Sequence, residues 1–156
     1  MIERIPLDSS LWVPRTTDME DPRPILNGIV GREPSVDQMY DVLDVLYETD
    51  DPSPQFYYAI PYVLDILEKH PVKMLGPLLA FCQQVHDLDH RPEEDLERQH
   101  LNSAKPRILK VICAALPNAK AGDKGYENVA ILLSGIANLM GHTDLGRQLT
   151  ELKPPY

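Results

Sequence analysis

Apolar residues recur at intervals of three and four along most of the chain after residue 34, and this spacing is typical of α-helices that bury one face. The first such segment carries the pattern at Val36, Met39, Leu43 and Leu46. Ser35 with Gln38 fits a capping box, and Ser53-Pro54 fits an N-cap followed by proline at the first helical position. No strand-like alternation of convincing length occurs in the sequence, so the predicted fold class is all-α. The predicted helices lie near residues 35–49, 54–69, 71–90, 92–116, 124–140 and 143–152.

The predicted helix at 124–140 is apolar around nearly its whole circumference, which predicts a central position in the core. It also carries small residues that permit neighbouring helices to approach closely: Ala130, Ser134, Gly135 and Ala137. The two cysteines, Cys82 and Cys113, are 31 residues apart in apolar runs, and we expect both in the core. Their number and spacing exclude a disulfide scaffold and a cysteine-rich zinc module.

The first 34 residues follow a different pattern. They contain five of the fifteen prolines and the only tryptophan, Trp12. Each proline fixes its own φ and disfavours the helical conformation of the preceding residue. We therefore expect residues 1–34 to form an extended arm that packs on a single helical domain of residues 35–156.

Two nine-residue segments, 59–67 and 104–112, resemble each other at an offset of 45. Alanine, proline and leucine are identical at the first, third and sixth positions, and three further positions are aliphatic in both. A period near 45 lies in the roughly 40–47-residue range of two-helix HEAT-type repeats. The repeat predicts antiparallel helix pairs, arranged as a HEAT-like α-solenoid or as a right-angle helical bundle. Coincidence is the alternative, because aliphatic residues commonly follow a proline at a helix start.

A family resemblance rests on the first of these segments and the residues before it. Residues 55–67 read Gln-Phe-Tyr-Tyr-Ala-Ile-Pro-Tyr-Val-Leu-Asp-Ile-Leu. They resemble the tyrosine, alanine and Pro-x-Val/Leu-Leu-x-x-Leu signature of small bacterial HEAT-like proteins, many of which are assigned as immunity proteins of polymorphic toxin systems. The acidic turn at 48–54 resembles the Asp-Pro linkers of such proteins, and together the match covers about 35 of the 156 residues. The resemblance implies an α-solenoid-like binding protein and no catalytic residue.

Charge is distributed unevenly along the chain, which carries 24 acidic and 15 basic residues and a net charge of −9. No lysine or arginine occurs between Arg32 and Lys69, whereas this window holds nine acidic residues. Phosphate backbones and anionic membrane surfaces are repelled by such a segment, so we expect neither a nucleic-acid nor a membrane partner. A basic protein surface or a cation is attracted instead.

Part of this window forms a candidate partner-binding set on the first predicted helix. Four of its acids fall within a sector of about 60° on a helix, with two tyrosines at one side and one further acid beyond. Like charges four residues apart destabilise a helix by about 0.2–0.5 kcal/mol per pair, and this helix contains no base that relieves the repulsion. We interpret the set as a docking surface for a basic protein; the alternative is an acidic surface that serves solubility. Its members are Asp37, Tyr40, Asp41, Asp44, Tyr47, Glu48 and Asp51.

A second candidate site lies at the end of the third predicted helix. His86 and His90 share a helical face and, with Asp87, offer ligands for a divalent metal. The arrangement resembles the metal-binding step of HD-type phosphohydrolases, for which His70 and Asp144 are the remaining candidate ligands. The alternative is an ordinary helix C-terminus, where an imidazolium interacts favourably with the helix dipole.

Other chemical signatures are absent from the sequence, including a Gly-rich phosphate loop and the motifs Gly-x-Ser-x-Gly and His-Glu-x-x-His. A signal peptide and an apolar run of membrane-spanning length are also missing. We therefore expect a cytoplasmic, non-enzymatic protein-binding module without a cofactor, in the form of an immunity protein that neutralises a basic toxin domain. The alternative is an HD-type metal-dependent phosphohydrolase centred on His86 and Asp87.

Overall fold

The computed structural model describes residues 4–12, 20–47, 54–84 and 94–152, and all regular secondary structure in these ranges is helical. The all-α prediction is confirmed, and the six predicted helices correspond to α2–α7 below. No helix within these ranges is both long and apolar enough to cross a membrane. After a 3₁₀ turn at Ser10–Trp12, the helices are α1 (Arg23–Ile29), α2 (Val36–Leu46), α3 (Pro54–Lys69), α4 (Leu75–Gln84), α5 (Asp95–Ala119), α6 (Gly125–Leu139) and α7 (Thr143–Glu151).

The start of α4 differs from the prediction. Pro71 does not occupy its first position, because the chain first makes a turn over residues 71–74 in which the Met74 amide donates to the His70 carbonyl at 2.9 Å. The helix then begins at Leu75. The predicted continuation at 85–90 lies outside the described residues.

The first 34 residues are not extended throughout. Residues 23–29 form α1, so the prediction of an extended conformation is wrong for this stretch. Pro22 stands at the N-cap and Pro24 in the first turn, where a missing N–H removes no intrahelical hydrogen bond. Pro22 and Pro24, which predicted an extended conformation, therefore lie at the start of a helix instead.

The N-terminal segment of residues 4–12 packs against α3. Trp12 is fully buried, and its ring lies edge-on to Tyr58 and Tyr62 at centroid distances of 5.9 and 6.2 Å. The Tyr62 hydroxyl donates to the Ile5 carbonyl at 2.8 Å, and the side-chain Nε2 of Gln55 donates to the Trp12 carbonyl at the same distance. These contacts fix the N-terminal segment on the helical body.

Three pairs of helices that are two positions apart in the chain are neighbours in space: α3 packs on α5, α2 on α4, and α4 on α6. Two side-chain contacts give the direction of α3 relative to α5. The Tyr58 ring meets His100 at 5.4 Å, and Asp65 accepts a hydrogen bond from Arg107 at 2.5 Å. In both pairs the residues are 42 positions apart, so the two helices run parallel.

Helix α6 contacts α4, α5 and α7, and the expected close approach at its small residues is present. A Cβ atom on Gly135 would lie 3.1 Å from the Cys82 sulfur and 3.4 Å from Cδ1 of Ile112. The helix is not central throughout, however, because Tyr126 and Leu133 remain exposed on the side away from these contacts.

The two cysteines differ in burial. Cys82 is buried, as expected, but Cys113 is exposed, so its predicted place in the core is wrong. The neighbouring residues Val111 and Ile112 occupy the buried side of α5 instead.

Candidate functional site

Helix α2 carries the predicted docking surface, and its N-terminus is fixed by the predicted capping box. The backbone N–H of Gln38 donates to Ser35 Oγ at 3.1 Å, and the backbone N–H of Ser35 donates to Gln38 Oε1 at 2.9 Å. The helix contacts α1, α3 and α4 through one apolar side. The buried residues of that side are Met39, Val42, Leu43 and Leu46.

The opposite side of α2 faces solvent. Asp37, Tyr40, Asp41 and Asp44 are all exposed there, and we call these four residues the acidic face. Within the described ranges, none of the three carboxylates has a lysine, arginine or histidine nitrogen within 4.0 Å. The structure therefore brings these residues together as the helical spacing predicted, with their charges uncompensated by the described part of the chain.

Other acids of the same window are compensated. Glu33 accepts a hydrogen bond from Lys73 at 2.9 Å, and this contact lowers the pKa of the Glu33 carboxyl. Glu68 accepts from Arg107 at 2.7 and 2.8 Å, which lowers the pKa of the Glu68 carboxyl in the same way.

Asp65 is compensated twice. It pairs with Arg107 across the α3–α5 contact and also with Arg4 of the N-terminal segment. Bases that are remote in sequence thus neutralise the acids on α3, whereas the acidic face on α2 keeps its charge.

Tyr40 extends the acidic face toward α4. The tyrosine ring reaches over α4 at Gly76, where the missing side chain leaves room for it. A Cβ atom on Gly76 would overlap the Tyr40 hydroxyl. With 38% of its surface exposed, Tyr40 still offers an aromatic contact to a partner.

Tyr47, another member of the predicted set, stands apart from the acidic face. Tyr47 is only partly exposed, and its ring lies edge-on to Phe56 of α3 at 6.0 Å. This contact suits a residue that holds α2 on α3. Glu48 and Asp51 lie outside the described residues.

The alternative metal site is centred outside the described residues, since these do not include His86, Asp87 and His90. Its remaining candidates have other contacts. His70 Nδ1 lies 3.9 Å from a Glu33 carboxylate oxygen, and Asp144 is exposed beside Arg147 at 3.7 Å. Among the described residues there is no cluster of three histidine, cysteine, aspartate or glutamate side chains that fits a metal ion.

Sequence reasoning missed a buried polar group between α3 and α5. His100 is 7% exposed, and its Nδ1 atom has no hydrogen-bond partner among the described residues; the Gln55 Oε1 atom is likewise buried without a partner there. Burial lowers the pKa of His100. Nothing in the sequence signals the burial of His100, because its contact with Tyr58 arises only through the parallel packing of α3 and α5.

Comparison with known proteins gives no relative for this chain. No protein-family model matches it, and neither the curated proteins nor the solved structures contain a significant match.

Proposed function

We propose that the protein is a binding module that captures a basic protein partner on the acidic face of α2. The observation that carries the proposal is the contrast within one acidic window. Glu33, Asp65 and Glu68 are paired with bases, while the carboxylates of the acidic face are exposed and have no basic partner in the described ranges.

The energetics of the helix favour a cationic partner. Asp37 and Asp41 are four residues apart, and like charges at this spacing destabilise a helix by about 0.2–0.5 kcal/mol. Asp44 adds a negative charge near the C-terminal end, where the helix dipole is also negative. A bound cation relieves both effects, so part of the interaction free energy comes from repulsion already present in the free protein. Long-range attraction would also raise the association rate.

Tyr40 supplies the second element of a binding surface. Tyrosine is enriched at interfaces because its ring buries a large apolar area while its hydroxyl keeps a polar contact. Its place over Gly76 restrains the ring, which lowers the entropy lost when a partner covers it. We therefore assign Tyr40 the role of anchor beside Asp37, Asp41 and Asp44.

The specific form of this function that we propose is neutralisation of a basic toxin domain by a HEAT-like immunity protein. The resemblance of residues 55–67 supports it. The parallel direction of α3 and α5 also supports it, because equivalent helices of successive repeats run parallel in α-solenoids. Pro61 and Pro106, which correspond in the 45-residue repeat, both lie inside these helices.

The test uses photo-crosslinking in the native host. A photoreactive phenylalanine analogue replaces Tyr40 in one variant and Val72 in the control, since Val72 is an exposed apolar side chain outside the acidic face. We expect position 40, and not position 72, to crosslink a protein with a basic surface. A partner of the proposed toxin class should arrest growth when expressed alone and be tolerated when this protein is co-expressed.

Charge reversal tests the electrostatic part. Asp37→Lys, Asp41→Lys and Asp44→Lys together should abolish crosslinking at position 40. The matched control reverses three exposed acids elsewhere, Asp123, Glu127 and Glu151, and should keep it. Equal recovery of partners by both triple variants would mean that the acidic face serves solubility only.

A further inference from the structure

The C-terminal helices α6 and α7 form a tight hairpin. Gly141 has φ 81°, and the His142 amide donates to the Ala137 carbonyl at 2.8 Å, so the chain reverses within three residues. A Cβ atom on Gly146 would overlap the Asn138 side chain, which shows how closely α7 lies against α6.

Exposed apolar side chains are concentrated on this hairpin. Five of the nine large hydrophobic residues that are exposed in the described ranges fall between residues 126 and 152. Half-buried apolar residues flank them, among them Val129, Ile136 and Leu149. The five are Tyr126 (44% exposed), Leu133 (38%), Met140 (61%), Leu145 (50%) and Leu152 (51%).

The exposed stripe of α6 points away from the core. Tyr126, Leu133 and Met140 are seven residues apart and fall within about 40° of one another on the helix. Gly135, which faces Cys82 and Ile112, lies on the opposite side, about 160° from Leu133.

The exposed stripe of α7 lies on the same side of the hairpin. Leu145 and Leu152 are about 100–120° around α7 from Gly146, the residue that faces α6. When each helix is followed around its axis from its N-terminus, the exposed stripe comes before the side that faces the other helix. Because the two helices are antiparallel, equal rotations bring both stripes to one side, so together they form a single apolar face.

We propose that this α6–α7 face is the interface of a homodimer. About half of the surface of each of the five large side chains is uncovered, so the face offers on the order of 300–500 Å² of apolar surface. This is the size of the largest apolar patch on a typical monomeric protein. A standard interface buries about 800 Å² on each partner, and about 65% of a homodimer interface is apolar. The face therefore supplies most of the apolar area that a second copy requires.

The charges of the hairpin fit a second copy better than they fit the basic partner of the acidic face. Residues 124–152 carry two bases, Lys124 and Arg147, and three acids. Two like hairpins of nearly balanced charge meet with little repulsion, whereas two acidic faces would repel each other. The twofold arrangement places each hairpin on its equivalent, so that four helices enclose the two apolar faces.

Sedimentation equilibrium and light scattering over a range of concentrations test this interface. The wild-type protein should reach twice the chain mass of 17.7 kDa. The double variant Met140→Glu, Leu145→Glu should raise the dimer dissociation constant at least 100-fold, while Val72→Glu, at an exposed residue in the turn before α4, should leave it unchanged. Circular dichroism checks that each variant keeps its helix content. If the double variant unfolds, Tyr126→Gln with Leu152→Gln probes the same face at other positions.

Three results would overturn the proposal. The first is a wild-type protein that stays at 17.7 kDa at every concentration tested. The second is a folded hairpin variant that dimerises as tightly as Val72→Glu. The third is a dimer that dissociates as NaCl rises from about 50 to 500 mM and is lost in Asp41→Lys, since that behaviour identifies an electrostatic contact through the acidic face.

Discussion

Arg107 Nη2 lies 2.5 Å from Asp65 Oδ1, and this ion pair joins the parallel helices α5 and α3. Only 18% of the Asp65 side chain is exposed, and Arg4 pairs with the same carboxylate from the N-terminal segment. One aspartate therefore connects three parts of the chain, and its charge is partly shielded from solvent.

Asp65→Asn should destabilise the protein by about 1–2 kcal/mol, because hydrogen bonds to charged groups contribute more than neutral ones. Arg4 and Arg107 both lose the Asp65 carboxylate, although Arg107 keeps its contact with Glu68. For a chain of this length the loss corresponds to a fall in melting temperature of roughly 2–8 °C. Asp41→Asn is the control: its carboxylate is exposed and has no base beside it in the described ranges, so its effect should stay within about 0.5 kcal/mol. Equal melting temperatures for the two variants would contradict a stabilising role of the Asp65 pairs.

The two cysteines should react at very different rates. Burial raises the pKa of the Cys82 thiol to about 12, so almost none of it is the reactive thiolate at neutral pH, whereas Cys113 is exposed on α5. An aromatic disulfide reagent should label one thiol per native chain and two after denaturation. Cys113→Ser should remove the fast reaction, and Cys82→Ala should preserve it. Labelling of native Cys113→Ser at the wild-type rate would contradict the burial of Cys82.

Helices α2–α7 were predictable because their signals are local. The capping residues Ser35 and Gln38 lie three positions apart, and the apolar periodicity of α2 orients its own exposed side. For the same reason the helical spacing of Asp37, Asp41 and Asp44 was enough to place them on one solvent-facing side.

The remaining features depend on contacts between distant residues. The proline content of residues 22–24 did not reveal α1, because a proline begins or breaks a helix according to its position. Periodicity cannot tell which side of an apolar helix has a neighbour, so the exposure of Leu133 was not predicted. The pairing of Asp65 with Arg107, the place of Tyr40 over Gly76 and the buried His100 all require knowledge of how the helices pack.

His100 should make stability depend on pH in the weakly acidic range. Its imidazole is buried against Tyr58, and burial disfavours the charged form, which lowers its pKa in the native state below the ordinary value of 6.5. As the pH falls through about 6.5, the unfolded chain binds a proton at this residue while the native protein does not. The free energy of unfolding then decreases, and this decrease ends only below the native pKa.

The carboxylates titrate in a separate range. Hydrogen bonds from Arg23, Lys73 and Arg107 lower the pKa of Asp21, Glu33 and Glu68, respectively. Each carboxylate therefore contributes stability above its ordinary pKa and loses it as the pH falls through its native pKa. For the glutamates that loss begins below about pH 4.5. Measurements between about pH 5 and 8 therefore report mainly on histidine.

His100→Phe isolates the contribution of this residue, since phenylalanine keeps an aromatic ring beside Tyr58 and cannot be protonated. Urea unfolding at several pH values should show the variant gaining stability relative to wild type as the pH falls from about 8 to 5, by at most about 1.4 kcal/mol per pH unit. Tyr58→Phe retains both the ring contact and His100, so its profile should run parallel to that of the wild-type protein. If His100→Phe instead runs parallel to wild type across this range, then His100 has the same proton affinity in the native and unfolded states, and its burial between α3 and α5 has no effect on its charge.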